Sequence, residues 1–238
     1  MVRIDLEKCV GCGQCIPFCP DSAISLNVNG KASVDEEVCV ECYACIRANI
    51  CPTNAIEKHP LEWPRIIRHL FSGVVSEHKD TRVPGRGTEE MKTNDVTGRF
   101  KPGEIGFSID VGRPGIGTKL SEVNKLTMKL AKINVEFEPM NPITLLMIDK
   151  SSGKLREDIL NERVRSVVVE FKVKKEQLPH VLKVLRQLSS EVDTVFSVGC
   201  ITVFEDLKEV QEVLGKFGFE PRINGKTNIG LGRPVMGG

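Results

Sequence analysis

The sequence predicts an α+β protein in which a small cysteine-rich unit precedes tandem βαββαβ units. Three observations lead to this prediction. Eight of the nine cysteines lie between Cys9 and Cys51. Strand-like and helix-like apolar periodicities alternate from residue 104 onward. A stretch rich in proline and glycine, residues 58–103, separates these two regions and is predicted to be a linker or arm.

The first 57 residues contain an internal repeat. Residues 4–12 are echoed by residues 33–42, and residues 19–24 are echoed by residues 51–56. Between the two halves, residues 24–35 are predicted to form a hairpin with a turn at 27–30. A duplication of this size indicates a pseudo-twofold unit built around two equivalent sites.

Both halves carry a cysteine motif with metal-ligand spacing. The first motif has the spacing C-x2-C-x2-C-x3-C-P and runs from Cys9 to Pro20. The second runs from Cys39 to Pro52 and has five residues, 46–50, where the first has three. Spacings this short wrap three thiolates around one face of a cubane iron–sulfur cluster, whose fourth ligand comes from elsewhere. Zinc is the alternative, but a CxxCxxC run with a distant CP differs from the paired CxxC motifs of zinc ribbons.

These motifs resemble those of the bacterial-type ferredoxins with two [4Fe–4S] clusters. The resemblance covers residues 1–57 and implies two [4Fe–4S] clusters, each taking one ligand from the other motif. It implies these ligands: Cys9, Cys12, Cys15 and Cys51 for the first cluster, and Cys39, Cys42, Cys45 and Cys19 for the second. The arrangement is also similar to ferredoxin-like proteins of strictly anaerobic archaea such as methanogens.

The rest of the chain predicts two ferredoxin-like βαββαβ units, residues 104–164 and 165–238, the second with a Gly-rich tail. A short helix is predicted within the linker at 61–75, and an extended arm at 79–101. In the first unit we predict strands at 105–109, 135–138 and 143–148 and helices at 120–133 and 155–164. In the second we predict strands at 167–173, 192–198, 200–204 and 219–223 and helices at 177–188 and 206–217.

This order of elements is similar to the small regulatory folds of the ACT and NIL type. NIL domains occur fused to two-cluster ferredoxins in prokaryotic proteins implicated in sulfur-amino-acid pathways. The resemblance implies that the C-terminal units either bind a small metabolite or serve as docking modules.

A candidate anion-binding turn lies before the helix predicted at 120–133. Residues 112–119 offer Arg113, Thr118 and Lys119 to a ligand, and a helix N-terminus offers free N–H groups. Turns and partner contacts are the preferred interpretation of this segment and of the similar residues 232–234, and a small-ligand site is the alternative. Cys200 is flanked by β-forming residues and is predicted to be a small buried hydrophobe rather than a sulfur-transfer nucleophile.

Charge and hydropathy exclude several classes of function. The net charge of +1 argues against a nucleic-acid partner. No apolar stretch approaches the roughly 20 residues that span a bilayer, and the N-terminus lacks the apolar segment of a signal peptide. We therefore expect a cytoplasmic protein. Residues 1–57 have four basic and eight acidic side chains, which suits docking on a basic partner surface.

The sequence predicts an electron carrier or a subunit of an oxidoreductase complex rather than an enzyme by itself. Its clusters would relay low-potential electrons to a protein redox partner, and its C-terminal units would dock it into a complex or a homo-oligomer. One alternative is a redox-linked regulatory protein that binds a metabolite. Another is an accessory subunit that delivers electrons for sulfur insertion or for reductive activation of a cofactor.

Overall fold

The structure is a computed structural model that describes residues 1–73, 86–87, 98–113, 117–203 and 206–220. Two packed regions follow one another along the chain. The N-terminal unit covers residues 1–58, and the C-terminal unit covers the described residues from 98 to 220. A helix between them packs against both.

The N-terminal unit is built from short elements. They are β1 (Val2–Ile4), β2 (Ile24–Leu26), β3 (Ala32–Val34), α1 (Ala44–Arg47) and β4 (Ile56–Lys58). β1 pairs antiparallel with β4, and β2 pairs antiparallel with β3. The predicted hairpin is therefore confirmed, and its turn is closed by the Gly30 N–H donating to the Asn27 carbonyl at 2.9 Å.

The internal repeat of the sequence appears as repeated hydrogen bonding. The Cys9 N–H donates to the Asp5 carbonyl at 2.9 Å, and the Cys39 N–H donates to the Asp35 carbonyl at the same distance. The Asp5 N–H donates to the Ala55 carbonyl and the Asp35 N–H to the Ala23 carbonyl, both at 2.8 Å, so each bond joins one half to the other. These matched contacts give the unit the pseudo-twofold arrangement that the sequence predicts.

In the described part of the connector lies the helix α2 (Ile66–Ser72), which is shorter than the predicted 61–75. Its Ile67 and Phe71 side chains are buried in the core of the C-terminal unit. Most of the predicted arm at 79–101 lies outside the described residues. Within it, Arg86 lies against the C-terminal unit, because the Val168 N–H donates to its carbonyl at 3.0 Å.

The C-terminal unit has a longer series of strands and helices. Its first part comprises β5 (Glu104–Val111), β6 (Thr118–Lys119), α3 (Leu120–Ala131), β7 (Glu136–Phe137), α4 (Pro142–Leu145), β8 (Met147–Asp149), β9 (Lys154–Leu155) and β10 (Arg163–Val164). Its second part comprises β11 (Val167–Lys174), α5 (Leu178–Glu191), β12 (Phe196–Ile201) and α6 (Leu207–Lys216).

One four-stranded antiparallel sheet organises this unit, in the order β12-β5-β11-β7. The elements β5-α3-β7-β11-α5-β12 therefore make a single split βαβ arrangement with an insertion between β7 and β11. The two units predicted at 104–164 and 165–238 do not form separate sheets in the described residues. Apolar periodicity distinguishes strands from helices but does not identify their partners, so it could not show that β5 and β11 pair over eight residues.

The insertion is where the predicted elements are wrong. Residues 143–148, predicted as a strand, begin in the one-turn helix α4, whose N-cap Asn141 accepts from the Ile143 N–H at 2.8 Å. Residues 155–164, predicted as a helix, form β9, a 3-10 turn at Glu157–Ile159 and β10. Leu155 and Ile159 are both fully buried, so tertiary packing produces a spacing that resembles a helical face.

The end of the described chain differs in smaller ways. The two strands predicted at 192–198 and 200–204 are one strand, β12, in which Gly199 stays in register opposite Ser108. Asp206 precedes α6 as predicted, but its carboxylate accepts from the Gly103 N–H at 2.7 Å instead of capping the helix. Residues 219–220 are not a strand, and 221–223 and 232–234 lie outside the described residues.

The core of the C-terminal unit lies between the sheet and helices α3 and α5. Phe107 and Phe171 stack there with ring centroids 5.0 Å apart. The apolar residues of the helices predicted at 120–133 and 177–188 face this core, which confirms both helices. No helix in the described part of the chain is long and apolar enough to cross a bilayer.

Candidate cluster sites

Two cavities lie within the N-terminal unit, and four cysteines line each of them. The lining cysteines of the first cavity are Cys9, Cys12, Cys15 and Cys51, and those of the second are Cys39, Cys42, Cys45 and Cys19. Each cavity thus takes three cysteines from one motif and one from the other. The structure brings together the same two sets of four that the family resemblance implies.

Each motif bends around its cavity through left-handed backbone at matching positions. In the first motif these positions hold Gly11 and Gly13, with φ of 70° and 71°. In the second they hold Glu41 and Tyr43, with φ of 53° and 56°. Glycine adopts this region without strain, whereas other residues need stabilising contacts. Gly11 is required for a second reason, because a Cβ there would lie 2.2 Å from the Gly30 carbonyl oxygen.

Backbone N–H groups point at cysteine sulfurs in both halves. The Ala23 N–H donates to Cys19 Sγ at 3.1 Å, and the Ala55 N–H donates to Cys51 Sγ at 3.2 Å. These two bonds are related by the internal repeat and involve the cysteine that each motif gives to the other cavity. N–H···S bonds stabilise charge on ligand sulfurs and so favour the reduced state of a cluster.

The arrangement of the thiols fits a cluster better than a single ion. Among the described residues, no three side chains of His, Cys, Asp or Glu converge closely enough to hold one metal ion. A structural zinc ion requires four ligands within about 2.3 Å of one point. Thiols spread around the wall of a cavity fit a multi-iron cluster instead.

The two extra residues of the second motif are absorbed locally. They lie near the one-turn helix α1 and Asn49, whose φ of 49° turns the chain after it. Arg47 Nη1 donates to the Cys42 carbonyl at 2.6 Å and closes this loop. The longer spacing does not remove a cysteine from the site, since Cys51 still lines the first cavity.

The two cavities differ in their exposure to solvent. Cys12 is exposed in the first cavity, whereas Cys39, Cys42 and Cys45 are all buried in the second. Burial raises the pKa of Cys39 to about 12 and that of Cys45 to about 11. The pKa of Cys51 is lowered, because backbone N–H groups near its sulfur outweigh the opposing effect of burial. Metal binding must displace these thiol protons, which couples assembly to folding.

Arg68 of α2 fastens the loop of the second cavity to the C-terminal unit. Its guanidinium donates to the carbonyls of Glu36, Glu37 and Cys39, at 2.7, 3.2 and 2.9 Å. It also forms an ion pair with Glu162, while only 4% of the residue is exposed. One buried side chain therefore connects the second cysteine loop, the connector helix and the insertion of the C-terminal unit.

Glu41 is the second buried anchor of this loop. Its carboxylate accepts from the Val2 N–H at 2.9 Å and from Arg65 at 2.8 Å, with no exposed surface. Burial lowers the pKa of His69, so the neutral ring donates from Nδ1 to the Glu41 carbonyl at 2.7 Å. The His69 ring also packs against Tyr43, with centroids 4.4 Å apart.

These anchors were missed at the level of sequence. The sequence motifs assign no role to Arg65, Arg68 or His69. Their spacing was nevertheless informative, because positions i, i+3 and i+4 share one face of a helix. That face of α2 lies toward the second cysteine loop, and the face with Ile67 and Phe71 lies toward the C-terminal core.

The predicted ligand residues of the C-terminal unit lie in one loop and the strand after it. The Gly117 N–H donates to the Gly112 carbonyl at 3.0 Å, which brings Arg113 near the start of β6. Arg113 and Lys119 are exposed, but Thr118 is buried and its hydroxyl donates to the Lys119 carbonyl at 3.1 Å. The three side chains therefore differ in their availability to a ligand.

Cys200 lies on β12 opposite Phe107 and packs against the core. Burial raises the pKa of its thiol to about 12, so the group is a neutral thiol near pH 7. A thiol in that state is a poor nucleophile. The expectation of a small hydrophobe agrees with this position.

Comparison with known proteins matches the N-terminal unit. Two families described as 4Fe-4S binding domain match residues 2–25 and 36–54. The "Pyruvate synthase subunit PorD" of Methanocaldococcus jannaschii is 46% identical over 55 residues, which are 23% of this chain and 62% of that protein. The "Ferredoxin" of Pyrobaculum islandicum is 39% identical over 57 residues, which are 24% of this chain and 51% of that protein.

A shorter relative is covered almost completely. The "Ferredoxin" of Thermococcus litoralis is 41% identical over 56 residues, which are 23% of this chain and 92% of that protein. The chain spans between half and two thirds of the length of the PorD and Pyrobaculum relatives. No solved structure matches the chain.

The N-terminal unit is thus an iron–sulfur electron carrier, and it carries two [4Fe–4S] clusters. Through this unit the chain belongs to the ferredoxins. The matched 4Fe-4S families end at residue 54. The resemblance of the C-terminal unit to the ACT and NIL folds stays a prediction.

Proposed function

We propose that the chain relays electrons one at a time between a donor and a partner oxidoreductase. In this proposal Cys9, Cys12, Cys15 and Cys51 ligate the first cluster, and Cys39, Cys42, Cys45 and Cys19 ligate the second. The observation that carries the proposal is the exchange of one cysteine between two adjacent four-cysteine cavities. In this proposal both clusters lie in one folded unit, and an electron passes from one cluster to the other.

Each bound [4Fe–4S] cluster accepts and donates one electron at a time. The protein contributes the N–H groups of Ala23 and Ala55, which stabilise negative charge on the ligand sulfurs. Apolar side chains such as Ile24 and Val34 line the second cavity and keep water from it.

The first cavity faces solvent and is the proposed site of exchange with a partner. Leu6 and Val10 are 53% and 65% exposed, and Val28 at the hairpin turn is fully exposed. Lys31 Nζ donates to the Leu6 carbonyl at 2.8 Å, and Gly30 lies against Gly11, so the turn and the first motif are adjacent. An exposed apolar patch beside an accessible cluster suits brief docking of a redox protein.

The C-terminal unit is the proposed docking domain. The likeness to a pyruvate synthase subunit supports membership of a multi-subunit oxidoreductase, and it equally favours the accessory-subunit alternative. β12 is an edge strand of the described sheet, and Val198 on it is exposed. An edge strand offers backbone groups to a second chain, which supports the predicted homo-oligomer.

The test is purification of the full chain, tagged at its chromosomal locus, from anaerobic cells of its native host. We expect a redox enzyme to co-purify in a fixed ratio, and its turnover with the electron-carrying partner to depend on the tagged chain. A variant with Val10→Glu and Val28→Glu should lower that turnover without loss of iron. A chain that purifies alone and does not affect the turnover of any candidate oxidoreductase contradicts the proposal.

A further inference from the structure

The sheet of the C-terminal unit has two edges, which differ in how their backbone groups are satisfied. β7 forms one edge and β12 forms the other. On the β7 side, the Val168 N–H donates to the Arg86 carbonyl at 3.0 Å, and the Val168 carbonyl accepts from Asn141 Nδ2 at 2.9 Å. The Glu170 carbonyl accepts from the Glu138 N–H at 2.9 Å. These contacts cover the part of β11 that the short strand β7 does not reach.

The outward backbone groups of β12 follow from its register on β5. Phe196 lies opposite Val111, and the Gly112 N–H donates to the Val195 carbonyl at 2.8 Å. In an antiparallel pair, residues that bond to the neighbouring strand alternate with residues whose backbone groups point away from it. The residues of β12 whose groups point away are Phe196, Val198 and Cys200. Among the described residues, no other element donates to these groups or accepts from them.

β12 also lacks the features that protect an edge strand from pairing. Its sequence, FSVGCI, contains no proline and no charged side chain, and its register on β5 is continuous. Edge strand β7, in contrast, is two residues long and carries Glu136. Val198 lies opposite the fully buried Ile109, so its side chain is on the face that packs against the helices, yet Val198 is 38% exposed. An apolar side chain of the core face is therefore uncovered in the middle of the open edge.

The open edge of β12 is complementary to a second copy of itself. Two β12 strands that pair antiparallel about a two-fold axis at Val198 place Val198 opposite Val198 of the second copy, and Phe196 opposite Cys200. Every outward N–H and C=O group of these three residues then meets a partner, in about six hydrogen bonds. The two Val198 side chains pack together at the axis, and no like charges meet, because β12 carries none.

We propose that two copies of the chain form a homodimer through β12, in which the two four-stranded sheets join into one continuous sheet. This inference rests on the proposed function in one respect, since it names the occupant of an edge of the docking domain. The interface is isologous, so the same strand is buried on both copies and the assembly closes at two chains. None of the cysteines that line the two cavities belongs to β12, so monomer and dimer should carry the same clusters.

The test is the mass in solution of the full chain and of variants at Val198, measured by anaerobic analytical ultracentrifugation. The native chain should have about twice the mass of one chain, which is 26.4 kDa. Val198→Lys and Val198→Glu should each be monomeric, because like charges would meet at the axis. An equimolar mixture of the two variants should dimerise, since residue 198 of one copy faces residue 198 of the other. Ile148→Lys, the matched change at an exposed residue of β8, should stay dimeric.

The backbone pairing has its own variant, Val198→Pro. Proline at this position removes an N–H that points away from β5 and leaves the ladder to β5 intact, so the variant should be a monomer with native iron content. Should the Val198 variants lose iron or aggregate, hydrogen exchange of the native chain decides. Slow exchange of the Phe196, Val198 and Cys200 amides in a native dimer supports the inference, and fast exchange of these amides overturns it.

The outcomes separate this inference from the proposed function. A native chain that is monomeric at micromolar concentration, or a dimer that survives all three Val198 substitutions, overturns the inference. Lysine and glutamate variants that stay monomeric when mixed overturn the two-fold register. A monomer that binds a co-purifying oxidoreductase through Val198 also overturns the inference, because the edge then has a different occupant. A native dimer with fewer than two cluster signals contradicts the proposed function and supports the dimer.

Discussion

The two cysteine-lined cavities follow the same chain trace but are stabilised in different ways. In the first, Gly11 and Gly13 supply the left-handed backbone, and Cys12 remains open to solvent. In the second, Glu41 and Tyr43 occupy the equivalent positions and are held by buried contacts. The repeat thus shows that one loop geometry can be reached through glycine or through side chains anchored to a second unit.

Because of this difference, we propose that electrons enter or leave the N-terminal unit at the first cavity. Val10 lines the first cavity and is exposed, and Leu6 and Val28 are exposed apolar side chains of the same motif region and of the hairpin turn. The cysteine loop of the second cavity is anchored to α2 and to the C-terminal unit, mainly through Arg68. In the proposed function, the first cavity is the site of exchange and the second is attached to the C-terminal docking domain.

The largest expected effect is the loss of a whole cluster. Cys19→Ala should remove the second cluster, because Cys19 lines that cavity although it belongs to the first motif. Iron should fall from about eight to about four atoms per chain, as one cubane holds four. Iron analysis and EPR of the reduced protein measure this. Cys51→Ala is the matched variant and should remove the first signal instead; the opposite pattern contradicts the crossed ligand sets.

The next effect concerns how the first loop obtains its backbone geometry. Gly11→Ala places a Cβ 2.2 Å from the Gly30 carbonyl oxygen, so most of the protein should lose the first cluster. Gly13→Ala has nearly the same φ, but its Cβ would meet only Ile16 Cδ1 at 3.8 Å. The Gly13→Ala substitution should lower the free energy of unfolding by only about 1–2 kcal/mol, because alanine is strained in left-handed backbone. Equal retention of the first EPR signal in the two variants would show that the close approach to Gly30 is unimportant.

A smaller effect is expected where the second loop is fastened to the C-terminal unit. Arg68→Ala leaves Glu162 and three carbonyls without their buried donor. The substitution should therefore lower the free energy of unfolding by about 3–5 kcal/mol. The measurement is an anaerobic urea titration that follows the second cluster signal. Lys154→Ala, which breaks the exposed pair with Glu157, is the control and should cost less than about 1 kcal/mol. Similar urea midpoints for the two variants would mean that Arg68 does not stabilise the second site.

The smallest effect is a difference between the two native clusters in the rate at which an oxidant or a chelator destroys them. A ferricyanide or chelator solution should destroy the first cluster several-fold faster, because Cys12 is exposed while Cys39, Cys42 and Cys45 are buried. The decay of the two EPR signals in one sample measures both rates. Equal decay of the two signals, or faster decay of the second, would contradict the proposal that the first cluster is the site of exchange with a partner.

The sequence predicted the features that depend on local spacing. The cysteine motifs, the hairpin at 24–35 and the helices predicted at 120–133 and 177–188 all follow from periodicity or turn residues. It did not predict that β5 and β11 share one sheet, because strand pairing is a long-range choice. In the insertion, Leu155 and Ile159 are buried by packing and imitate a helical face.

The same limit applies to the sites. Cysteine spacing predicts the three ligands that each motif gives to one cluster, whereas the exchange of Cys19 and Cys51 is what the resemblance to the ferredoxins implies. The anchors of the second loop could not be predicted in this way, since Arg68 contacts residues about 30 positions before it and Glu162 far after it. Asp21 and Thr53 occupy equivalent positions of the repeat, and the structure shows that Asp21 lines the second cavity and Thr53 the first.

The most direct test of the central claim is iron analysis and EPR spectroscopy of anaerobically purified full chain. The account predicts about eight irons per chain and, on reduction, signals from two [4Fe–4S] clusters that titrate separately. Colourless protein with two zinc ions, or brown protein with about four irons and one cluster, would contradict it.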